Sequence, residues 1–194
     1  LKNVEAFEQE DQDTTSPSDN LMGHKLKYAI RLAGKRIFER TADEPELRGM
    51  GTTAVAMVFD QNRIYLAHVG DSRAYLIRGG YIHQITEDHS LVNEQIKAGL
   101  ISPESAKHHK LKNIITRSVG FERDVAVDTF AMPIQSGDRF LICSDGLSNL
   151  VDDTEIGNAL ATMELESVPE SMVELANTRG GDDNITVVCL AVGS

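Results

Sequence analysis

No stretch of the 194-residue sequence stays apolar for the length a bilayer crossing needs. Its first residues also lack the basic-then-apolar order of a secretory leader, so the expectation is a cytoplasmic protein without a membrane partner. Positive charge is scarce. Nineteen Lys and Arg stand against thirty Asp and Glu, a formal charge of −11, and no basic or aromatic stripe runs through the chain. That balance speaks against a nucleic-acid or anionic-lipid surface, so any phosphate-bearing ligand must be attracted by something other than net protein charge. Bound cations would do it. Cysteine is nearly absent too, with two in the chain. Cys143 in 139-RFLIC-143 and Cys189 in 186-TVVCLAV-192 read as small buried hydrophobes, not as a disulfide or a nucleophile.

What is present is the composition of an ordinary globular domain, 41% hydrophobic and 25% charged, long enough for one substantial core. Residues 1–20 are acidic and polar and read as a tail or linker. Leu26, Ile30, Ala33 and Ile37 then recur at helical spacing between Gly23 and Arg40, with basic residues forming a solvated outer face. Two hairpins follow. The first joins 52-TTAVAMVF-59 to 63-RIYLAHVG-70, and the second joins 73-RAYLIR-78 to 81-YIHQI-85 through Gly79-Gly80. Residues 89–110 have a thin stripe of Leu91, Val92 and Ile96, with Pro103 opening a second short helix, and suit a mobile surface flap. Strands are expected again at 125–134, 138–143 and 184–192. Between the last two lie amphipathic helices carrying Ile156, Leu160 and Met163, then Met172, Leu175 and Ala176. Hairpins outnumber strand–helix–strand units, which predicts an α+β layered domain with mainly antiparallel sheets.

Three aspartates share one local pattern. Asp71 follows the strand 63–70, Asp145 ends the apolar run 139-RFLICSDGLSNL-150, and Asp182-Asp183 precede the last strand, each with glycine nearby. Ordinary turn chemistry accounts for any one of them. Three together, all at strong strands, suggest carboxylates gathered at one rim, where their repulsion and desolvation are relieved by hard divalent cations such as Mg²⁺ or Mn²⁺. His68, His83, His89, His108 and His109 lack zinc-ligand spacing, and Ser144 lacks the Gly-x-Ser-x-Gly elbow of a serine nucleophile. A metal-dependent nuclease or phosphodiesterase could also use clustered aspartates, but the acidic charge disfavours it.

The segments 49-GMGTT-53, 68-HVGDSRAYLIRGG-80, 113-NIITRSVG-120, 140-FLICSDGL-147 and 181-GDDNITVV-188, in that order, resemble the bacterial branch of the metal-dependent protein phosphatase 2C family. The resemblance covers about 21–194. It implies a four-layer α-β-β-α sandwich and a cluster of two or three Mn²⁺ or Mg²⁺ ions that hydrolyses phosphoserine and phosphothreonine on proteins, including a Ser/Thr kinase and its targets. It makes Asp145 and Asp183 metal ligands and Asp71 a ligand of a third ion, leaving Asp182 a bystander or a group that supports a ligand from behind. Residues 89–110 become a flap beside the active site, while Gly49–Thr53 and Ser72-Arg73 become structural supports. Two N-terminal family motifs are missing: the arginine followed by Asn-Glu-Asp, and Asp-Gly-x-Gly-Gly with its histidine. Two expectations follow from the gap. Either these residues are an incomplete piece of an enzyme, weak or inactive alone, or they form a catalytically inactive regulatory or binding module. The first is preferred, because a scaffold lacking its first strands would leave sheet edges exposed.

Overall fold

The computed structural model describes residues 21–107 and 109–193, so the acidic segment 1–20 and His108 lie outside the described residues. In chain order the regular elements are α1 (Leu21–Asp43), β1 (Ala54–Asp60), β2 (Arg63–Val69), β3 (Arg73–Arg78), β4 (Tyr81–Gln84), α2 (Leu91–Lys97), α3 (Pro103–Lys107), β5 (Asp128–Pro133), β6 (Arg139–Cys143), α4 (Asp145–Ser148), α5 (Asp153–Thr162), α6 (Val168–Thr178) and β7 (Val187–Ala191). They form two compact units. One holds the described chain up to Asp71 together with Asp88–Met132; the other holds Ser72–Glu87 and the chain from Pro133 onward. The architecture is α+β, as the predominance of hairpins predicts.

In the first unit the strands run in the order β1-β2-β5, with β1 and β2 antiparallel from Ala54↔Val69 to Asp60↔Arg63. Helix α1 contributes Ile30 to a core with Ala67, Val69, Val119, Val125 and Val127, and Leu26 and Ile37 pack against it. Ala33, expected on that face, is exposed, and Gly34 is buried instead. The reason is angular. Positions 26, 30, 34 and 37 advance along one stripe of a 3.6-residue helix, and position 33 falls off its edge. The strand expected at 125–134 begins only at Asp128. Val125 and Val127 give their side chains to the α1 core rather than extending the named strand.

In the second unit all three pairings are antiparallel, in the order β4-β3-β6-β7. Gly79 and Gly80 close the β3–β4 hairpin with φ of 58° and 81°, the pair of left-handed residues that a tight two-residue turn demands. Tyr75, Leu141, Cys143 and Leu147 pack with Ile156, Leu160 and Met172 of α5 and α6 into one apolar core. Both cysteines are free thiols. Cys143 is buried and Cys189 half-buried, where burial pushes its thiol up to about 11. Asp138, at the foot of β6, is buried but satisfied: Arg78 donates to it at 2.9 and 2.6 Å.

Candidate functional site

Strand β6 stops at Cys143, and Asp145 lies not at its tip but two residues further on, as the first residue of the short α4. What places it there is the main chain of residues 184–186. The Ser144 hydroxyl donates to the Asn184 carbonyl at 3.0 Å and accepts from the Thr186 N–H at 3.0 Å. The Ser144 N–H donates to the Thr186 carbonyl at 3.1 Å. The β6–β7 ladder, which ends with Cys143↔Val187, is thus carried past both strand ends, to Ser144 on one side and Asn184 on the other, by the Ser144 hydroxyl and N–H. This is also why β7 starts at Val187 and not at 184.

Gly146 completes the fit, since a Cβ there would lie 2.5 Å from the Asn184 carbonyl oxygen. The glycine behind the aspartate therefore permits close approach of two backbones. As a result the segments carrying Asp145 and Asp183 are stitched side by side. Asp145 is half-buried and takes a hydrogen bond from the Asn149 amide at 3.3 Å; Asp183 is exposed and accepts from the N–H of Asn184 at 2.7 Å. Asp182 is exposed as well. On the neighbouring helix, Arg179 grips Glu155 with two bonds of 2.8 and 2.7 Å and donates to the Leu150 carbonyl, tying the end of α6 to the start of α5. This pairing holds the Glu155 carboxyl down at about 2, with the Arg179 hydrogen bond as the principal cause.

Asp71 belongs to the other unit, half-buried directly after β2. The preceding Gly70 has φ of 110°, and a Cβ there would lie 2.4 Å from the Thr53 methyl carbon. Around Gly70 stands a group that the sequence reading passed over. Among the described residues, the His, Cys, Asp or Glu side chains that bring three ligand-type atoms within 4.8 Å of one another are those of His68, His89 and Asp128. His68 and His89 are buried, their rings 4.5 Å apart.

His68 Nε2 donates to the Gly70 carbonyl at 2.9 Å, and the Gly70 N–H donates to His89 Nδ1 at 3.0 Å. His89 Nε2 meets Asp128 at 2.9 Å, and Arg117 donates to the same carboxylate at 2.9 Å. Burial, reinforced by the nearby His89, pulls His68 down to about 4. Burial would raise Asp128, but the hydrogen bond from His89, together with the charge and hydrogen bond of Arg117, outweighs it and leaves the carboxyl at about 2. Zinc-ligand spacing carries no information about histidines that serve as hydrogen-bonding partners. The informative signal was His68 inside the apolar strand 63-RIYLAHVG-70, where an unpartnered ring would be costly.

The segments 49–53 and 72–73 are tied into the surrounding framework by hydrogen bonds. Thr52 exchanges two backbone hydrogen bonds with Val119 at 3.0 and 2.8 Å, and Arg73 donates to the Tyr75 hydroxyl, which donates to Asp153. Residues 89–110 do form two short helices, with Ser90 capping α2 by accepting from the Asn93 N–H. A groove of about 320 Å³ in the three-stranded unit, walled by Thr116, Arg117, Phe121 and Glu122 among others, holds none of the three aspartates.

The sequence of residues 3–98 matches the family model described as protein phosphatase 2C. The serine/threonine phosphatase stp of Listeria monocytogenes is 44% identical over 84% of this chain, which spans 65% of that protein's length. The crystal structure of the Mycobacterium tuberculosis serine/threonine phosphatase PstP/Ppp superposes with a TM-score of 0.86 at 38% identity, over 94% of this chain and 77% of that one. The catalytic domain of PstP in complex with two manganese ions superposes with a TM-score of 0.79 at 37% identity, over 95% and 75%. With the stitched Ser-Asp-Gly and Asp-Asn segments in place, a likeness of that extent and identity leads to one conclusion: the chain belongs to the protein phosphatase 2C family.

Proposed function

We propose that this chain is part of a metal-dependent protein phosphatase that hydrolyses phosphoserine and phosphothreonine esters on proteins, with Asp71, Asp145 and Asp183 as ligands of Mn²⁺ or Mg²⁺. Its substrates are phosphorylated cytoplasmic proteins, a Ser/Thr kinase and its targets among them. The observation that carries the reading is the clamp of residues 144–146 on residues 184–186, which fixes two acidic segments side by side. The donor set fits a hard divalent cation, being carboxylate oxygen with no thiolate or exposed imidazole in the clamp. The manganese seen in the PstP catalytic domain supports the choice of ion. No helix among the described residues is long and apolar enough to cross a membrane.

In this reading the chain's own residues position and hold. Asp145 and Asp183 present oxygens from a rigid seam, Ser144 keeps the seam closed, and Asn149 orients the Asp145 carboxylate by donating to one oxygen. When bound, the divalent ions supply Lewis acidity toward water and the phosphoryl group. Asp-Gly-x-Gly-Gly and the phosphate-gripping arginine motif do not occur in these 194 residues, so we expect slow turnover from this chain alone.

Two measurements test the proposal. Mn²⁺ binding by the chain, followed by electron paramagnetic resonance, should weaken at least about 10-fold in Asp145→Asn and in Asp183→Asn while the fold is retained. Mn²⁺-dependent phosphate release from a phosphothreonine peptide should fall by about 100-fold or more in the same variants. Unchanged Mn²⁺ affinity in both would remove the metal assignment. Faster cleavage of bis-nitrophenyl phosphate than of the phosphopeptide would move the protein to the phosphodiesterases.

A further inference from the structure

Asp71 follows a glycine gripped by two histidine side chains, and the grip is complete. Gly70 has one N–H and one carbonyl oxygen with two lone pairs. Its N–H donates to His89 Nδ1 at 3.0 Å, and its carbonyl accepts from His68 Nε2 at 2.9 Å and from the His89 backbone N–H at 2.8 Å. Every hydrogen-bonding position of that residue is filled, in a left-handed conformation packed on Thr53.

The bonds also settle the protons. His89 Nδ1 accepts, so its ring hydrogen is on Nε2 and is donated to Asp128 at 2.9 Å. Arg117 Nη1, 3.2 Å from that Nε2, therefore finds its acceptor in the Asp128 carboxylate and not in the ring. His68 donates from Nε2, which leaves its lone pair on Nδ1, a buried atom with no partner.

A metal centre at these three side chains is the obvious alternative, and the same bonds argue against it. Both His89 nitrogens are already engaged, and the carboxylate of Asp128 is divided between His89 and Arg117. One imidazole nitrogen remains, too few ligands to hold an ion.

We propose that His68 and His89 are positioning residues that act through Gly70: the Arg117–Asp128–His89 chain and His68 clamp the amide before Asp71 and so set the direction of the Asp71 carboxylate. The inference rests on the proposed role of Asp71 as a metal ligand. It assigns to four residues the work that residues behind a metal ligand do elsewhere, orienting a group they do not replace.

The test uses the different reach of asparagine and glutamine. An asparagine oxygen at position 89 occupies the place of Nδ1 and keeps the acceptor for Gly70; a glutamine amide occupies the place of Nε2 and loses it. At position 68 the order reverses, because the donor to Gly70 is Nε2. His89→Asn and His68→Gln should therefore keep the Mn²⁺ concentration for half-activation within about threefold of the parent. His89→Gln and His68→Asn should raise it about 10-fold or more, with KM for a phosphothreonine peptide unchanged. In an Asp71→Asn background, His89→Gln should add nothing further, since a residue acting through another is silent once that other is gone.

Equal effects of Asn and Gln at both positions, effects that simply follow the melting temperature, or full additivity with Asp71→Asn would each overturn the proposal. Where a variant fails to fold, the parent protein decides. Nitrogen-15 NMR should show His89 protonated at Nε2 and His68 at Nε2, with slow exchange of the Gly70 amide; a ring hydrogen on His89 Nδ1 would overturn the clamp. Those spectra need no activity, so unchanged Mn²⁺ affinity in Asp145→Asn and Asp183→Asn would sink the metal assignment while the clamp is still judged on its own.

Discussion

In the four-stranded unit Asp145 is placed by backbone: a serine at the end of β6 bonds to both carbonyls and an N–H of residues 184–186, and a glycine lets the two chains touch. In the three-stranded unit Asp71 follows a glycine held by two buried imidazoles, one of which, His89, is braced by a carboxylate that a guanidinium also holds. The first device has few titrating parts in contact with the seam; the second consists almost entirely of them. Main-chain clamping is insensitive to pH and sensitive to volume. A side-chain clamp is sensitive to both, because each member must keep its protonation state as well as its place.

The largest expected effect comes from attacking the glycine in each unit. Gly70→Ala must put a Cβ into Thr53 at a backbone angle that alanine avoids, and should cost about 4 kcal/mol. Gly146→Ala meets the Asn184 carbonyl without the backbone penalty and should cost about 3 kcal/mol. Urea unfolding measures both, and equal costs would mean that the conformation of Gly70 adds nothing.

Acidification should separate the units next. The folded protein holds His68 down at about 4 against an ordinary 6.5, so between those values the unfolded chain binds the proton and the folded one does not. Stability from this residue is fully present above pH 6.5 and is lost as pH falls towards 4, a change on the order of 2–3 kcal/mol. Asp128, held at about 2 against 3.8, acts in the same direction in the window below, its contribution disappearing as pH drops from about 4 through 2. Amide hydrogen exchange should therefore show β1 and β2 losing protection between pH 6.5 and 4 before β3 and β6 do. Simultaneous loss would place the sensitive group elsewhere.

Smaller effects sharpen the contrast. Ser144→Ala leaves the Thr186 N–H without its side-chain acceptor and should cost about 1 kcal/mol, and the Mn²⁺ binding proposed at Asp145 should weaken because the seam opens. Arg179→Ala removes a pair with Glu155 in which both side chains are more than a third exposed and screened by solvent, and should leave the urea midpoint nearly unchanged. A larger loss would show that the end of α6 helps hold the Asp183 segment.

Much of the secondary structure could be read directly. Both hairpins were legible because alternation and a Gly79-Gly80 turn are local signals, and α5 and α6 because their apolar residues recur at helical period. Errors arose where a distant segment decided the outcome. Val125 and Val127 have the character of strand residues but serve the α1 core; Asn184–Thr186 belong to a strand-like run but are taken by Ser144. The three aspartates were visible from their glycines and strand ends, whereas His68, His89, Arg117 and Asp128 carry no shared spacing that could have grouped them.

By itself the sequence determined the α+β class, the hairpins, the family and the identity of the acidic residues, because each is encoded by pattern within a few positions of the chain. Tertiary structure alone decided that Ser144 would stitch residue 145 to residue 183's neighbour, and that histidines 21 positions apart would close on one glycine. Hydrogen bonds of that kind depend on distance in space, and a linear pattern holds no record of that distance until the strands have paired.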